Sequence, residues 1–255
     1  MYLYEVKEGK IKQKLSVVIP AYNEEKLIEH CIIELKKIFK SSKIKNYEII
    51  VVDDGSHDQT YNVLHTKFSN DNNTKIVSYP LNQGKGYAIQ QGFAISSGNI
   101  VAFIDADLDL HPSHILSLFS YMLENNYDMV IGSKRHPQSK LYYPPLRKLY
   151  SNIYYYFIRV LFGLPVKDTQ TGVKVFKREV LEFVLPKIVV KRYAFDLELL
   201  VLAHMGRYKI GEAPIVLEFR NKYIYTIGIK SIFKIITDTL GVFFRLRIKR
   251  SYSRH

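Results

Sequence analysis

Apolar residues along this chain fall into short β-branched runs separated by stretches of helical spacing. Leu15–Pro20 (LSVVIP), Tyr47–Val52 (YEIIVV), Lys75–Tyr79, Ile100–Ile104 (IVAFI) and Met129–Ile131 each read as a buried strand. Between the first two, Leu27, Cys31, Leu35, Ile38 and Phe39 recur at helical steps. Helices are expected over 58–68 and 85–96, and Ile115, Leu118, Phe119 and Met122 mark another. Two more are expected at 146–160 and Phe195–Met205. Strands alternating with helices predict an α/β fold with right-handed βαβ units and a mostly parallel sheet covered on both faces.

Ligands of such sheets bind beyond the carboxyl ends of the strands. That rule singles out Pro20–Glu24, Asp53–Ser56 and Asp105–Asp109. Carboxylates gathered there repel one another unless a cation or donor groups compensate. Asp105, Asp107 and Asp109 alternate along the chain, and an extended segment leaving a strand turns all three toward one hard cation. The competing reading is that Asp-X-Asp caps the next helix, but its place after an apolar strand favours the cation. Lys85, between Gly84 and Gly86 before a helix, suits a phosphate and equally suits an exposed loop.

With 255 residues, the chain is long enough for one large domain or a domain with an appendage. The expected division is a catalytic unit over 1–220 and a basic amphipathic tail over 221–255. Cys31 is the sole cysteine, which excludes an internal disulfide and a four-cysteine zinc site, and the eight histidines show no zinc spacing. Residues 220–255 hold nine Lys/Arg against one acid, and 134–159 hold six against none. Of the net +13, these segments supply +8 and +6, so the remaining 193 residues sum to −1. Such concentration suits an anionic partner or a solvated basic surface. In the tail, apolar residues from Ile224 to Leu246 are interleaved with these cations. That pattern fits a helix lying in a membrane interface or one packed back on the core, with Gly228 and Gly241 weakening a continuous helix. No apolar run is long enough for a membrane span, and the lysine-rich start does not read as a secretory signal.

The strings VVIPAYNEE, VVDDGS, NQGKGYAIQQG and DADLD resemble the family 2 inverting glycosyltransferases of the GT-A nucleotide-sugar-binding fold. GSKR, RKLYS, KDTQTGVKVF and YAFDLELL resemble the branch that glycosylates polyprenyl (dolichyl) phosphates with mannose or glucose, and the resemblance spans Leu15 to Arg220. It implies hexose transfer from UDP-glucose or GDP-mannose with inversion. It also implies that Pro20, Tyr22 and Glu24 line the nucleotide pocket, that Asp53 accepts from the base, and that Asp105 approaches the ribose. Asp107 and Asp109, with Asp105, would hold Mg²⁺ or Mn²⁺, while Lys85 would meet donor phosphate. A polyprenyl phosphate is already ionised near pH 7 and needs no protein base, only cations to hold it. Arg147 can present a bidentate fork to that phosphate, one helical turn from Ser151, with Lys134 and Arg135 beside it. Asp168 would border the acceptor, and Asp196 and Glu198 are expected to cap or orient their helix. The expected setting is the cytoplasmic face of a membrane, bound peripherally. Two other readings compete: transfer to a soluble glycan or protein hydroxyl with Asp168 or Asp196 as base, and a nucleic-acid-binding module. No nucleic-acid-binding motif supports the latter.

Overall fold

The structure is a computed structural model that describes residues 13–142, 145–192, 194–218, 229–249 and 252, with side chains masked at 142–150, 218 and 229–233. In chain order the elements are β1 (Leu15–Ala21), α1 (Ile28–Ser41), β2 (Tyr47–Asp53), α2 (Thr60–Phe68), β3 (Thr74–Ser78), α3 (Lys85–Ala94), β4 (Ile100–Phe103), α4 (His114–Glu124) and β5 (Met129–Ser133). There follow β6 (Lys140–Tyr142), α5 (Pro145–Phe162), β7 (Lys174–Lys177), α6 (Arg178–Val184), α7 (Phe195–Met205), β8 (Ile210–Pro214), β9 (Val216–Glu218) and α8 (Ile229–Phe243), which runs into a π-helical turn at Phe244–Ile248.

Seven strands form one sheet in the order β3-β2-β1-β4-β7-β5-β8, and β6 pairs with β9 separately. All neighbours in the large sheet are parallel except β7, which runs antiparallel to both β4 and β5. The sequence pattern missed β7 because Lys-Val-Phe-Lys has no apolar run. Its reversed direction brings Lys174 opposite Phe103, at the carboxyl end of β4. Two apolar layers cover the sheet. One joins α1 and α4 through Cys31, Leu35, Phe39, Ile115, Leu118 and Met122. The other joins α3, α5, α6 and α7 through Ile89, Phe162, Val180 and Leu200. Chain order reverses between β1 and β4, which opens a crevice beyond their carboxyl ends.

The described part of the tail packs on this second layer, with Val242 and Thr239 fully buried. Gly241 lies inside α8 without breaking it. Glu198 is the anchor. Its buried carboxylate accepts from Val189 N at 3.0 Å, Val190 N at 2.6 Å, Arg245 Nη2 at 3.2 Å and the Tyr252 hydroxyl. Of the capping or orienting role expected for Asp196 and Glu198, the cap is not seen, because α7 has no side-chain cap, and both carboxylates instead tie α7 to other elements.

A second buried carboxylate ties the opposite end of the sheet. Glu48 accepts from Ser16 Oγ and Ser97 N, both at 2.6 Å, and pairs with Lys75 at 2.8 Å. Burial opposes its charge, yet Lys75, Ser16 and Ser97 overcome that and hold its carboxyl down at about 2. A depressed carboxyl stabilises the fold above its unfolded value and loses that contribution as pH falls toward 2. Glu48→Gln should therefore lower stability by about 2 kcal/mol at pH 7, with the gap to the parent closing in acid; thermal melts across pH check this.

Candidate active site

Three loops meet at the crevice. After β1, Asn23 takes a left-handed conformation at φ 58°, and its backbone N–H donates to Ser56 Oγ at 2.9 Å. Glu24 N donates to Thr60 Oγ1 at 2.8 Å, so the loops after β1 and β2 are laced together. Pro20 is half-buried at the end of β1, and Tyr22 stands exposed with its ring and that of His57 in a T-shaped arrangement. Asp53 is buried and accepts from Ser56 N at 3.1 Å. This wall has the makings of a base pocket.

Asp54, which the motif reading passed over, organises the next loop. Its carboxylate accepts from the Tyr79 hydroxyl at 2.8 Å, Asn82 Nδ2 at 2.9 Å, Gln83 N at 2.8 Å and Gly84 N at 2.9 Å. Gly84 has φ 101°, and a side chain there would strike Lys191. The turn delivers Lys85 at the start of α3, with Nζ 2.7 Å from Asp105 Oδ1 and 3.7 Å from Asp196 Oδ2. Asp196 Oδ1 in turn lies 2.7 Å from Lys174 Nζ, which also donates to the Thr171 carbonyl. Four side chains of alternating sign, Asp105, Lys85, Asp196 and Lys174, thus run from the cleft into the core. Burial disfavours the charge on Asp196, but Lys174 and Lys85 overcome it and hold the carboxyl below the usual carboxylate range. Lys85 is therefore spoken for by two carboxylates rather than left free for a phosphate.

The segment after β4 does not continue extended, which corrects the expectation that alternation aligns three aspartates. Residues 106–107 turn, Leu108 is left-handed at φ 58°, and Asp109 N donates to Asp107 Oδ1 at 3.0 Å. Asp105, Asp107 and Asp109 all line one cleft, together with Lys134, Ser151, Gln170, Thr171 and Gly172. Among the described residues, however, no three His, Cys, Asp or Glu side chains converge as a ready-made metal site, since Asp105 turns toward Lys85. The acids still repel. Burial, then Asp105 and Asp109, push Asp107 up to about 7. Burial, then Asp107 and Asp105, push Glu24 up to about 7 as well. A donor set so short of positive charge fits a divalent cation.

Opposite stand the basic groups. Lys134 lines the cleft, and Arg135 Nη2 donates to Ser151 O at 2.8 Å and Ser151 Oγ at 3.2 Å, with its guanidinium 4.5 Å from the Tyr155 ring centroid. The structure thus brings Lys134, Arg135 and Ser151 together. Arg147 falls in α5, but its side chain lies outside the described residues. Asp168 is corrected from a group bordering the acceptor to a buried support. It accepts from Lys134 N at 2.9 Å and Thr171 Oγ1 at 2.7 Å, and sits 3.5 Å from Lys134 Nζ. Burial opposes its charge, but Lys134, Thr171 and backbone N–H groups hold its carboxyl low.

Gly172 closes the floor of the cleft against Asp105, and a methyl group there would overlap that carboxylate. Gly172→Ala should reduce transfer by roughly tenfold or more with little change in melting temperature, because it displaces Asp105 rather than core packing. Steady-state rates beside a thermal melt check this.

The model of glycosyl transferase family 2 matches residues 16–185. A dolichyl-phosphate beta-glucosyltransferase of Trichomonas vaginalis is 36% identical over 210 residues, covering 79% of this chain and 64% of the relative. Another from the same organism is 32% identical over 247 residues, covering 92% and 75%. The chain spans 62% of a third such relative, so in some cases it covers less than two thirds of the curated protein it matches. Among solved structures, glucosyl-3-phosphoglycerate synthase from Mycobacterium tuberculosis, in complex with Mn²⁺, UDP and glucosyl-3-phosphoglycerate, superposes with a TM-score of 0.68 at 25% identity, covering 91% of this chain and 80% of that one.

Proposed function

Since the chain belongs to glycosyl transferase family 2, we propose that it transfers glucose from UDP-glucose to a polyprenyl phosphate, inverting the anomeric carbon. The names of its relatives support glucose over mannose and dolichyl phosphate as acceptor. One observation carries the choice of acceptor chemistry. Asp168 and Asp196, the two carboxylates named above as bases for a hydroxyl acceptor, are both buried and held ionised by lysines, so both are weak bases, while Asp107 and Glu24, raised to about 7, stand among the acids on the cation and nucleotide side. An acceptor that arrives already ionised removes the need for one. A phosphate monoester, whose second ionisation lies near ~6, meets that condition.

Each wall of the cleft then has a task. Pro20, Tyr22 and Asp53 receive the nucleoside. Asp105, Asp107 and Asp109 would hold Mg²⁺ or Mn²⁺, a choice supported by the Mn²⁺ in the mycobacterial neighbour. When bound, the cation neutralises charge building on the departing UDP. Lys134, Arg135 and Ser151 hold the acceptor phosphate against the repulsion of the aspartates, joined by Arg147. Asp168 fixes the Lys134 backbone and ammonium, and Lys174 with Asp196 fixes Lys85. Attack by a phosphate oxygen on the face opposite the UDP gives a β-linked glucosyl phosphate. Because the acceptor is a lipid, the enzyme works at a membrane surface, and the cytoplasmic face is where nucleotide sugars would reach it.

A donor screen tests this. UDP-glucose labelled in the sugar should move its label into organic solvent when polyprenyl phosphate and Mg²⁺ or Mn²⁺ are present, and GDP-mannose should serve at least tenfold worse. Equal use of GDP-mannose would overturn the sugar assignment.

A further inference from the structure

Fourteen large apolar side chains are exposed among the described residues, and seven of them lie on α5 and on α8 with its π turn. On α5 these are Ile153, Tyr156 and Val160, spaced to share one side, away from the buried Ile158 and Phe162. On the C-terminal segment they are Ile236, Leu240, Phe244 and Ile248, each four residues after the last. Four residues overshoot an α turn, so the row creeps around α8. The wider turn at Phe244–Ile248, closed by Lys249 N donating to Phe244 O at 3.0 Å, swings Ile248 back toward it. The two segments are neighbours. The Tyr154 and Thr239 hydroxyls are 3.3 Å apart, and the Phe162 and Phe243 rings meet edge-on with centroids 6.0 Å apart.

We propose that these two outward rows are the surface on which the chain rests on an anionic lipid bilayer. Charge complementarity selects that occupant. Arg159, Lys234, Arg247 and Lys249 are all exposed on the same segments, Lys249 Nζ lies 5.7 Å from the Phe244 ring centroid, and Asp238 is the one acid in 151–162 and 234–249. Apolar rows edged by cations suit the boundary between headgroups and acyl chains, where Tyr, Lys and Arg keep their polar ends in water. A second copy of this chain would set cations against cations. The placement relative to the cleft rests on the polyprenyl-phosphate acceptor. Ser151 lines the cleft on the side of α5 that carries Ile158 and Phe162, and the row of Ile153, Tyr156 and Val160 lies roughly 140–200° around the helix from it, with Val160 about 14 Å from Ser151 along the axis. A lipid whose phosphate sits at Ser151 would therefore pass around α5 to reach the apolar row.

The test uses the full chain and sedimentation with phosphatidylcholine vesicles, with and without phosphatidylserine. Leu240→Glu/Phe244→Glu and, separately, Tyr156→Ser/Val160→Glu should each weaken binding to the anionic vesicles at least tenfold, with melting temperatures unchanged. Parent binding should fall with added salt and without phosphatidylserine. Both variants should retain transfer to a short, water-soluble polyprenyl phosphate. Parent-like vesicle binding by either variant would overturn the proposal. So would a dimer in solution that the variants break while vesicle binding persists. Row-dependent vesicle binding by a protein that glucosylates no polyprenyl phosphate would uphold the surface and sink the acceptor assignment, so the two fail separately.

Discussion

Asp107→Asn should lower glucose transfer by roughly a thousandfold and leave the melting temperature unchanged or slightly raised. Asp107 sits between two other aspartates, and burial with their repulsion pushes its carboxyl up to about 7. A charge held against such resistance serves binding rather than folding, and replacing it with an amide relieves repulsion within the cleft. Loss of a cation ligand also predicts that Mn²⁺ with UDP raises the melting temperature of the parent and not of the variant. Thermal shifts with and without Mn²⁺ and UDP, beside initial rates, check both halves. A variant that stays active, or one that melts well below the parent, would contradict this role.

Lys174→Met should have the largest effect on stability, a loss of about 3–5 kcal/mol that lowers the melting temperature by roughly 10 °C. Lys174 is fully buried and lies 2.7 Å from Asp196, so its removal leaves a buried carboxylate with only Lys85, 3.7 Å away, to offset its charge. Asp196→Asn placed on top of Lys174→Met should recover part of the loss, because no unpaired charge then remains on that side of Lys85. Activity should not recover with it, since Lys85 would lose one of the two carboxylates that hold it. Denaturant unfolding of the two singles and the double gives the coupling. Additive losses would show that Lys174 and Asp196 act independently.

Strands buried on both faces were legible in the sequence because LSVVIP, YEIIVV and IVAFI admit few other readings. The carboxyl-end rule then picked out acidic loops that the structure brings together at the crevice. What it could not supply was direction within the loops. The left-handed Leu108 gives no signal in DADLD, and without it the three aspartates look aligned. Asp196 looked like a helix cap because acids are common in a first turn, whereas its partners Lys85 and Lys174 come from distant parts of the chain. Asp54 was hidden beside Asp53, with nothing in Asp-Asp-Gly-Ser to say which carboxylate would hold the following loop. In the tail, the amphipathic pattern allowed a helix lying in a membrane interface or one packed back on the core. Glu198, which ties the described part to the core by reaching Arg245 and Tyr252, is invisible to periodicity.

The most direct test of the central claim, that this site serves an acceptor already ionised, is a paired assay with one lipid chain carrying either a phosphate or a free hydroxyl. With UDP-glucose and a divalent cation, the account predicts organic-soluble glucose from the polyprenyl phosphate and none above background from the polyprenol. Comparable transfer to the polyprenol would contradict it, and would point to a base other than Asp168 and Asp196, such as Asp107 or Glu24.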